Sequence, residues 1–129
     1  MSAKLQNAIE DLDKSIENLK KIIEMPFLPN DVIMISSIKV FELSFELFWK
    51  TLRKKIEAEY KVETFGAKQV LQNAYGLKLI ENEKIWLNML DDRNLGVHIY
   101  KQALAHEIFE RVKEKYASFL RTEFNKCFK

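Results

Sequence analysis

The chain has 129 residues, with 21 Lys and Arg against 19 Asp and Glu for a formal net charge of +2; 47% of its residues are hydrophobic and 31% are charged. The single cysteine, Cys127, excludes an intramolecular disulfide framework and fits a reducing, cytoplasmic compartment, while only 3 Gly and 2 Pro disfavour a turn-rich all-β fold. No apolar run reaches the about 18 residues of a membrane span, the opening Met1-Ser2-Ala3-Lys4-Leu5 lacks the apolar stretch of a signal peptide, and so small a net charge gives no broad field for nucleic acid.

The length fits one domain over residues 1–129, and the hydrophobic spacing makes it all-α. Leu5, Ile9, Leu12, Ile16, Leu19 and Ile23 recur at alternating steps of four and three, the signature of a helix with one apolar stripe. Pro26 disfavours helical backbone in the residue before it, so this helix is predicted to end at Met25. Pro29-Asn30-Asp31 reads as a loop closing on an N-cap at Asn30. A long second helix follows, with Ile38, Phe41, Phe45, Phe48, Leu52 and Ile56 as its main stripe, widened by Ile33, Val40, Leu47 and Trp49. A helix apolar on more than one side is central, or is covered by a second subunit.

The pattern lapses between Lys61 and Thr64, and Phe65-Gly66 looks like a break. Ala67, Val70, Leu71 and Ala74 mark a short third helix, with Gly76 suited to the left-handed residue after its end. Asn82 is positioned to cap a fourth helix whose inner face is Trp86, Met89 and Leu90 and which Gly96 terminates. A last helix is predicted from His98 or Tyr100 to the C-terminus, carrying Leu104, Ile108, Val112, Tyr116 and Phe119. Together these make a five-helix, largely antiparallel up-and-down bundle.

The segment from Asp91 to Tyr100 is the one place where helical logic is violated. Arg93 lies four residues after Met89 and three after Leu90, so it continues an apolar stripe inward. An unpaired buried guanidinium costs several kcal/mol. Arg93 therefore pairs with Asp91, Asp92 or a distant Glu, or it points into a cleft and awaits an anion such as phosphate. His98, near the expected start of the last helix, is expected to be neutral there and able to accept a proton, although a histidine at a helix start also serves as a cap or a packed side chain. Residues two apart lie on opposite sides of a helix, so His98 and Tyr100 cooperate only if that helix starts late, or if each serves a different partner.

Other chemistries lack their residues. His98 and His106 have no ligand at a recognised metal spacing, and neither a glycine-rich phosphate loop nor a Gly-x-Ser-x-Gly elbow occurs. No metal and no cofactor are expected. Cys127 has no His near it in sequence and reads as incidental. The cluster Lys50, Arg53, Lys54 and Lys55 is explained by a solvated helix face as well as by RNA binding. Phe41, Phe45 and Phe48 read as core or dimer interface rather than as base-stacking platforms.

Arg93, His98 and Tyr100 in the order Arg-x4-His-x-Tyr resemble the signature of HEPN domains (higher eukaryote and prokaryote nucleotide-binding). The block Phe41-Glu42-Leu43-Ser44-Phe45-Glu46-Leu47-Phe48-Trp49-Lys50, and Trp86 seven residues before Arg93-Asn94, narrow this to the branch called nucleotidyltransferase substrate-binding proteins. The resemblance covers nearly the whole chain and is weakest in the first helix. It implies a homodimeric helical bundle and a toxin–antitoxin pair. In that pair this chain is a metal-independent endoribonuclease acting on RNA, and a minimal nucleotidyltransferase neutralises it by transferring AMP to Tyr100. Arg93 and His98 are then catalytic, with Asp92 and Asn94 supporting them. Gly96-Val97 departs from the small hydroxyl residues many relatives carry there. The alternative is a non-catalytic subunit that presents a nucleotide or other substrate to a nucleotidyltransferase.

Overall fold

The structure is a computed structural model and describes residues 2–25 and 29–129. Helix α1 (Ala3–Ile23) opens on Ser2, whose hydroxyl accepts from the Leu5 amide at 3.1 Å. It buries Leu5, Ile9, Leu12, Ile16 and Leu19 and ends two residues before the predicted Met25, because the Glu24 amide already closes the last turn onto carbonyls of Lys20, Lys21 and Ile22. Helix α2 (Asn30–Tyr60) has 31 residues and spans about 46 Å at 1.5 Å per residue. Its cap position is held by Pro29 rather than Asn30, which is already helical. The whole predicted stripe from Ile38 to Ile56 is removed from solvent. Between α1 and α2, the small side chains of Ser15 and Ser44 meet at 2.6 Å, so this polar contact is satisfied inside the core.

Helix α3 (Gly66–Gly76) starts at a glycine with φ of 82°, a conformation that favours a residue without a β-carbon. The left-handed residue after α3 is Lys78 (φ 62°) and not the expected Gly76, which remains helical. The amides of Lys78 and Leu79 return to the carbonyls of Tyr75 and Ala74, the paired closure of a Schellman end. Asn82 occupies the cap position of α4 (Glu83–Leu95), but in left-handed backbone and without a side-chain capping bond. Asn is among the few non-glycine residues that adopt this conformation readily.

A 3-10 turn, Gly96–His98, follows α4, and the last rod starts only at α5 (Gln102–Arg111), later than predicted. It runs through a π-helical turn, Val112–Tyr116, where the Ala117 amide bonds the Val112 carbonyl, into α6 (Ala117–Phe128). The buried residues Ile108, Val112, Tyr116, Leu120 and Phe124 recur in strict steps of four. That spacing outruns the 3.6-residue period, and the widened turn takes up part of the drift. Leu120 therefore replaces the expected Phe119, which is only half-buried. With α5 and α6 forming one rod, the described residues make a bundle of five rods. At its centre Phe48 meets Trp86 edge-on at 4.7 Å and Phe41 stacks on Tyr116 at 5.2 Å. The buried Glu123 accepts from the Trp86 indole at 3.0 Å and from the Glu81 amide at 2.8 Å. Among the described residues no helix is long and apolar enough to cross a membrane.

Candidate functional site

Arg93 occupies the last turn of α4, one turn beyond the buried Met89, and that placement turns it towards α2. Its side chain is 30% exposed, its guanidinium lies 5.9 Å from the Phe45 ring centre, and Nη2 is 3.6 Å from Glu46 Oε2. The partner is thus a distant glutamate, and neither Asp91 nor Asp92. The contact is loose, and Glu46 also accepts from the Trp49 indole at 3.0 Å and faces Lys50 at 3.4 Å. Arg93 Nε is buried without a hydrogen-bond partner among the described residues.

Glu42 lies one turn before Glu46 on α2. Its Oε1 is also buried and without a hydrogen bond, and it sits where a β-carbon on Gly96 would be. The Gly96 backbone is ordinary right-handed helix (φ −58°, ψ −21°), so space rather than conformation favours glycine here. A seryl or threonyl side chain at 96 would have to push the Glu42 carboxylate aside. Gly96 therefore has a local partner on α2.

Asp92 is only 5% exposed and is fully engaged. Arg111 Nε and Nη2 donate to its two oxygens at 2.7 and 2.8 Å, and the Tyr116 hydroxyl donates to it at 2.6 Å. Hydrogen bonding to the carboxylate holds the Arg111 guanidinium above its usual range, and burial, reinforced by Asp92, pushes the Tyr116 phenol well above the ordinary tyrosine value. Arg111 precedes the π-helical turn and Tyr116 ends it. In i→i+5 bonding, residues five apart come round to roughly the same side of the axis, so this turn presents both side chains to one carboxylate. No helical period in the sequence announces that pairing.

His98 ends the 3-10 turn and is exposed. It does not start the last helix, whose cap is Lys101, so the dipole argument for a neutral imidazole falls away; the effect fades within one turn. The late start of α5 instead meets the condition for His98 and Tyr100 to cooperate. His98 Nδ1 lies 3.2 Å from the Tyr100 hydroxyl, with the rings edge-to-face at 5.8 Å. Among the described residues Nε2 has no partner. Asn94 is exposed. Val97 and Tyr100 are each 73% exposed, and Leu95 before them and Leu43 on α2 also face solvent. A concavity of about 740 Å³ has Ile23, Asn30, Gln102 and His106 among its lining residues and includes none of Arg93, His98 and Tyr100.

Elsewhere the side chains serve the fold or face water. Lys50, Arg53 and Lys55 pair with Glu46, Glu57 and Glu59 one turn away on α2, the first two on a solvated face and Lys55 over the Phe128 ring. Phe41, Phe45 and Phe48 are core. The Cys127 thiol donates to the Leu79 carbonyl, and burial pushes it up to about 12, so it is no nucleophile near neutral pH. Among the described residues no group of three or more His, Cys, Asp or Glu is placed to hold a metal.

Known proteins are similar to this chain in sequence or in fold. Residues 3–127 match the family described as nucleotidyltransferase substrate binding protein like. The chain is 24% identical over 93 residues to the probable ribonuclease HepT of Haemophilus influenzae, a match covering 69% of this chain and 64% of that protein, and so slightly less than two thirds of the relative. A Thermus thermophilus protein known from its crystal structure is 29% identical, with a TM-score of 0.82 over 92% of this chain and 99% of the other. A Haemophilus influenzae structure, described as revealing the fold of a substrate binding domain of a nucleotidyltransferase, has a TM-score of 0.65 at 19% identity over 97% of both chains and shares the fold. The chain belongs to the nucleotidyltransferase substrate-binding protein-like family, the HEPN-like branch that its Arg-x4-His-x-Tyr motif resembles.

Proposed function

We propose that this chain is a single HEPN-like domain over residues 1–129 acting in the cytoplasm as the ribonuclease toxin of a toxin–antitoxin pair, with Arg93 and His98 catalytic and Tyr100 the acceptor of AMP from a minimal nucleotidyltransferase. The observation that carries the reading is the bond between His98 Nδ1 and Tyr100. It holds the imidazole while leaving Nε2 free, on the same end of the bundle as a partly exposed Arg93 that is held only loosely by Glu46.

Metal-independent RNA cleavage needs a base for the 2′-hydroxyl, an acid for the leaving oxygen and positive charge at the phosphorane. Arg93 stays protonated and cannot serve as base, so one protomer supplies one proton-transfer group. A homodimer duplicates each residue across its axis. One His98 then takes the 2′-hydroxyl proton as that oxygen attacks phosphorus. The other protonates the 5′-oxygen as its bond to phosphorus breaks, and the two Arg93 side chains neutralise the added charge. The exposed Leu43, Leu95 and Val97 suit the apolar contact such a dimer needs. AMP transfer joins the Tyr100 oxygen to the α-phosphorus of ATP and releases pyrophosphate. The phenolic proton is lost, Tyr100 can no longer donate a hydrogen bond, and a phosphate charge stands beside the site.

His98→Ala is expected to abolish RNA cleavage and growth inhibition while leaving the circular dichroism spectrum and unfolding midpoint unchanged, because His98 is exposed. A fully active His98→Ala protein overturns the reading. The alternative, a non-catalytic subunit that presents a nucleotide or other substrate to a nucleotidyltransferase, is favoured by the contact of Arg93 with Glu46, which gives its charge a partner within the chain. That alternative gives no cleavage at any protein concentration but a stable complex with the nucleotidyltransferase.

A further inference from the structure

Arg93 has weak anchors of its own: a 3.6 Å approach to Glu46, a ring face at 5.9 Å and a buried Nε with no partner among the described residues. The residue before it is the opposite. Asp92 receives three hydrogen bonds at 2.6–2.8 Å from Arg111 and Tyr116, and both donors sit on the rod that packs beside the end of α4. Gly96 and His98 follow within six residues, in a 3-10 turn that has few side-chain anchors. The last turn of α4 is therefore pinned at one point, and that point adjoins the guanidinium.

We propose that Asp92, clamped by Arg111 and Tyr116 across the π-helical turn, is a positioning residue that fixes where Arg93 and the following turn stand relative to α2. The clamp acts through the backbone. Asp92 holds the helix end to the last rod, so the Arg93 side chain leaves that helix end at a set place and angle. The π-helical turn is part of the device, because it aligns Arg111 and Tyr116 on one carboxylate. A network with every member satisfied gives rigidity that a single loose ion pair does not. The kinetic side of this inference rests on the ribonuclease reading; the ordering of residues 93–98 does not.

The test compares wild type, Asp92→Asn, Arg111→Lys and Tyr116→Phe by amide hydrogen exchange and by steady-state cleavage of a single-stranded RNA. Asp92→Asn keeps the shape of the side chain but loses the charge that Arg111 pairs with. Arg111→Lys keeps charge but loses the fork, and Tyr116→Phe removes one hydroxyl from a retained ring. Exchange at the amides of residues 93–98 is expected to rise about tenfold in Asp92→Asn and less in the other two, with α1 unchanged. Misplacement of a catalytic group costs up to about a hundredfold in rate, so kcat is expected to fall about ten- to a hundredfold in Asp92→Asn. The expected loss is smaller in Arg111→Lys and Tyr116→Phe, and KM should stay within about twofold. Unchanged exchange at 93–98 overturns the clamp whatever the cleavage result. Exchange raised evenly through the chain, with kcat per folded molecule unchanged, reduces the network to general stability and also overturns it. If wild type cleaves no RNA, the ribonuclease reading fails, and the exchange profile alone decides the clamp.

Discussion

Asp92 and Arg93 are neighbours in the chain and opposites in the fold. Asp92 is buried with both oxygens bonded, whereas Arg93 is partly exposed, loosely paired and carries a buried nitrogen with no partner among the described residues. A carboxylate so satisfied has nothing left to offer a ligand and serves the fold. A guanidinium left under-satisfied is available to an anion. The contrast separates a carboxylate whose bonds are spent within the fold from a guanidinium whose bonds are not.

The largest effect comes from breaking the satisfied side. Asp92→Ala strands the Tyr116 hydroxyl, in a residue only 1% exposed, and removes the partner of Arg111, which is 41% exposed and can turn to water. A stranded buried donor and a lost charged hydrogen bond together are expected to cost about 3 kcal/mol, discounted for the exposure of Arg111. Urea denaturation measures it. Arg93→Ala, read by the same method, is expected to cost less than half as much, since its ion pair is loose and near solvent. Equal losses would erase the distinction between the two residues.

Much of this architecture is legible in the sequence because it follows from repeated spacing. The stripe of α2 from Ile38 to Ile56 is buried throughout, and so are Ala67, Val70, Leu71 and Ala74 of α3, since each position repeats one signal. What is not legible depends on single contacts between distant residues. Glu46 as the partner of Arg93, and Glu42 against Gly96, require knowing that α4 ends beside the middle of α2. The pairing of Arg111 with Tyr116 breaks the helical period, so a pattern built on that period cannot contain it. Lys78 takes the left-handed place expected for Gly76, because the carbonyls of Ala74 and Tyr75 close the helix two residues later. The motif residues themselves are visible in the sequence. The dipole argument about His98 depends on a helix boundary, and that boundary lies four residues further on, at Gln102.

The same contrast can be sharpened at the other end of the bundle, where Cys127 is another satisfied, non-reacting group. Burial pushes its thiol up to about 12, against an ordinary value of 9.0. The folded protein therefore holds this proton where the unfolded chain releases it, and stability is lost as pH rises above 9. By pH 10 the thiol accounts for about 1.4 kcal/mol of that loss, one unit beyond its unfolded value. The stability difference between wild type and Cys127→Ala, measured at pH 8 and at pH 10, should shrink by about this amount. Tyr116 titrates alike in both proteins and cancels. A difference independent of pH would mean that the thiol is not held protonated.

The smallest effect on stability is expected where the proposed effect on function is large. Tyr100→Phe removes one hydroxyl from a side chain that is 73% exposed, and its bond to His98 Nδ1 at 3.2 Å is open to water on both sides. Exposed positions of this kind change stability by no more than about 0.5 kcal/mol, so the unfolding midpoint should not move. The imidazole, in contrast, loses the group that orients it. The ¹⁵N shifts of His98 should report this as a change at Nδ1 and a redistribution of its tautomers. On the proposed function the variant has no acceptor for AMP, so whatever growth inhibition Tyr100→Phe retains without its orienting hydroxyl should be unaffected by co-expressed nucleotidyltransferase, while wild type is silenced. Silencing of both by the same partner would assign neutralisation to binding alone and remove Tyr100 from the regulatory role.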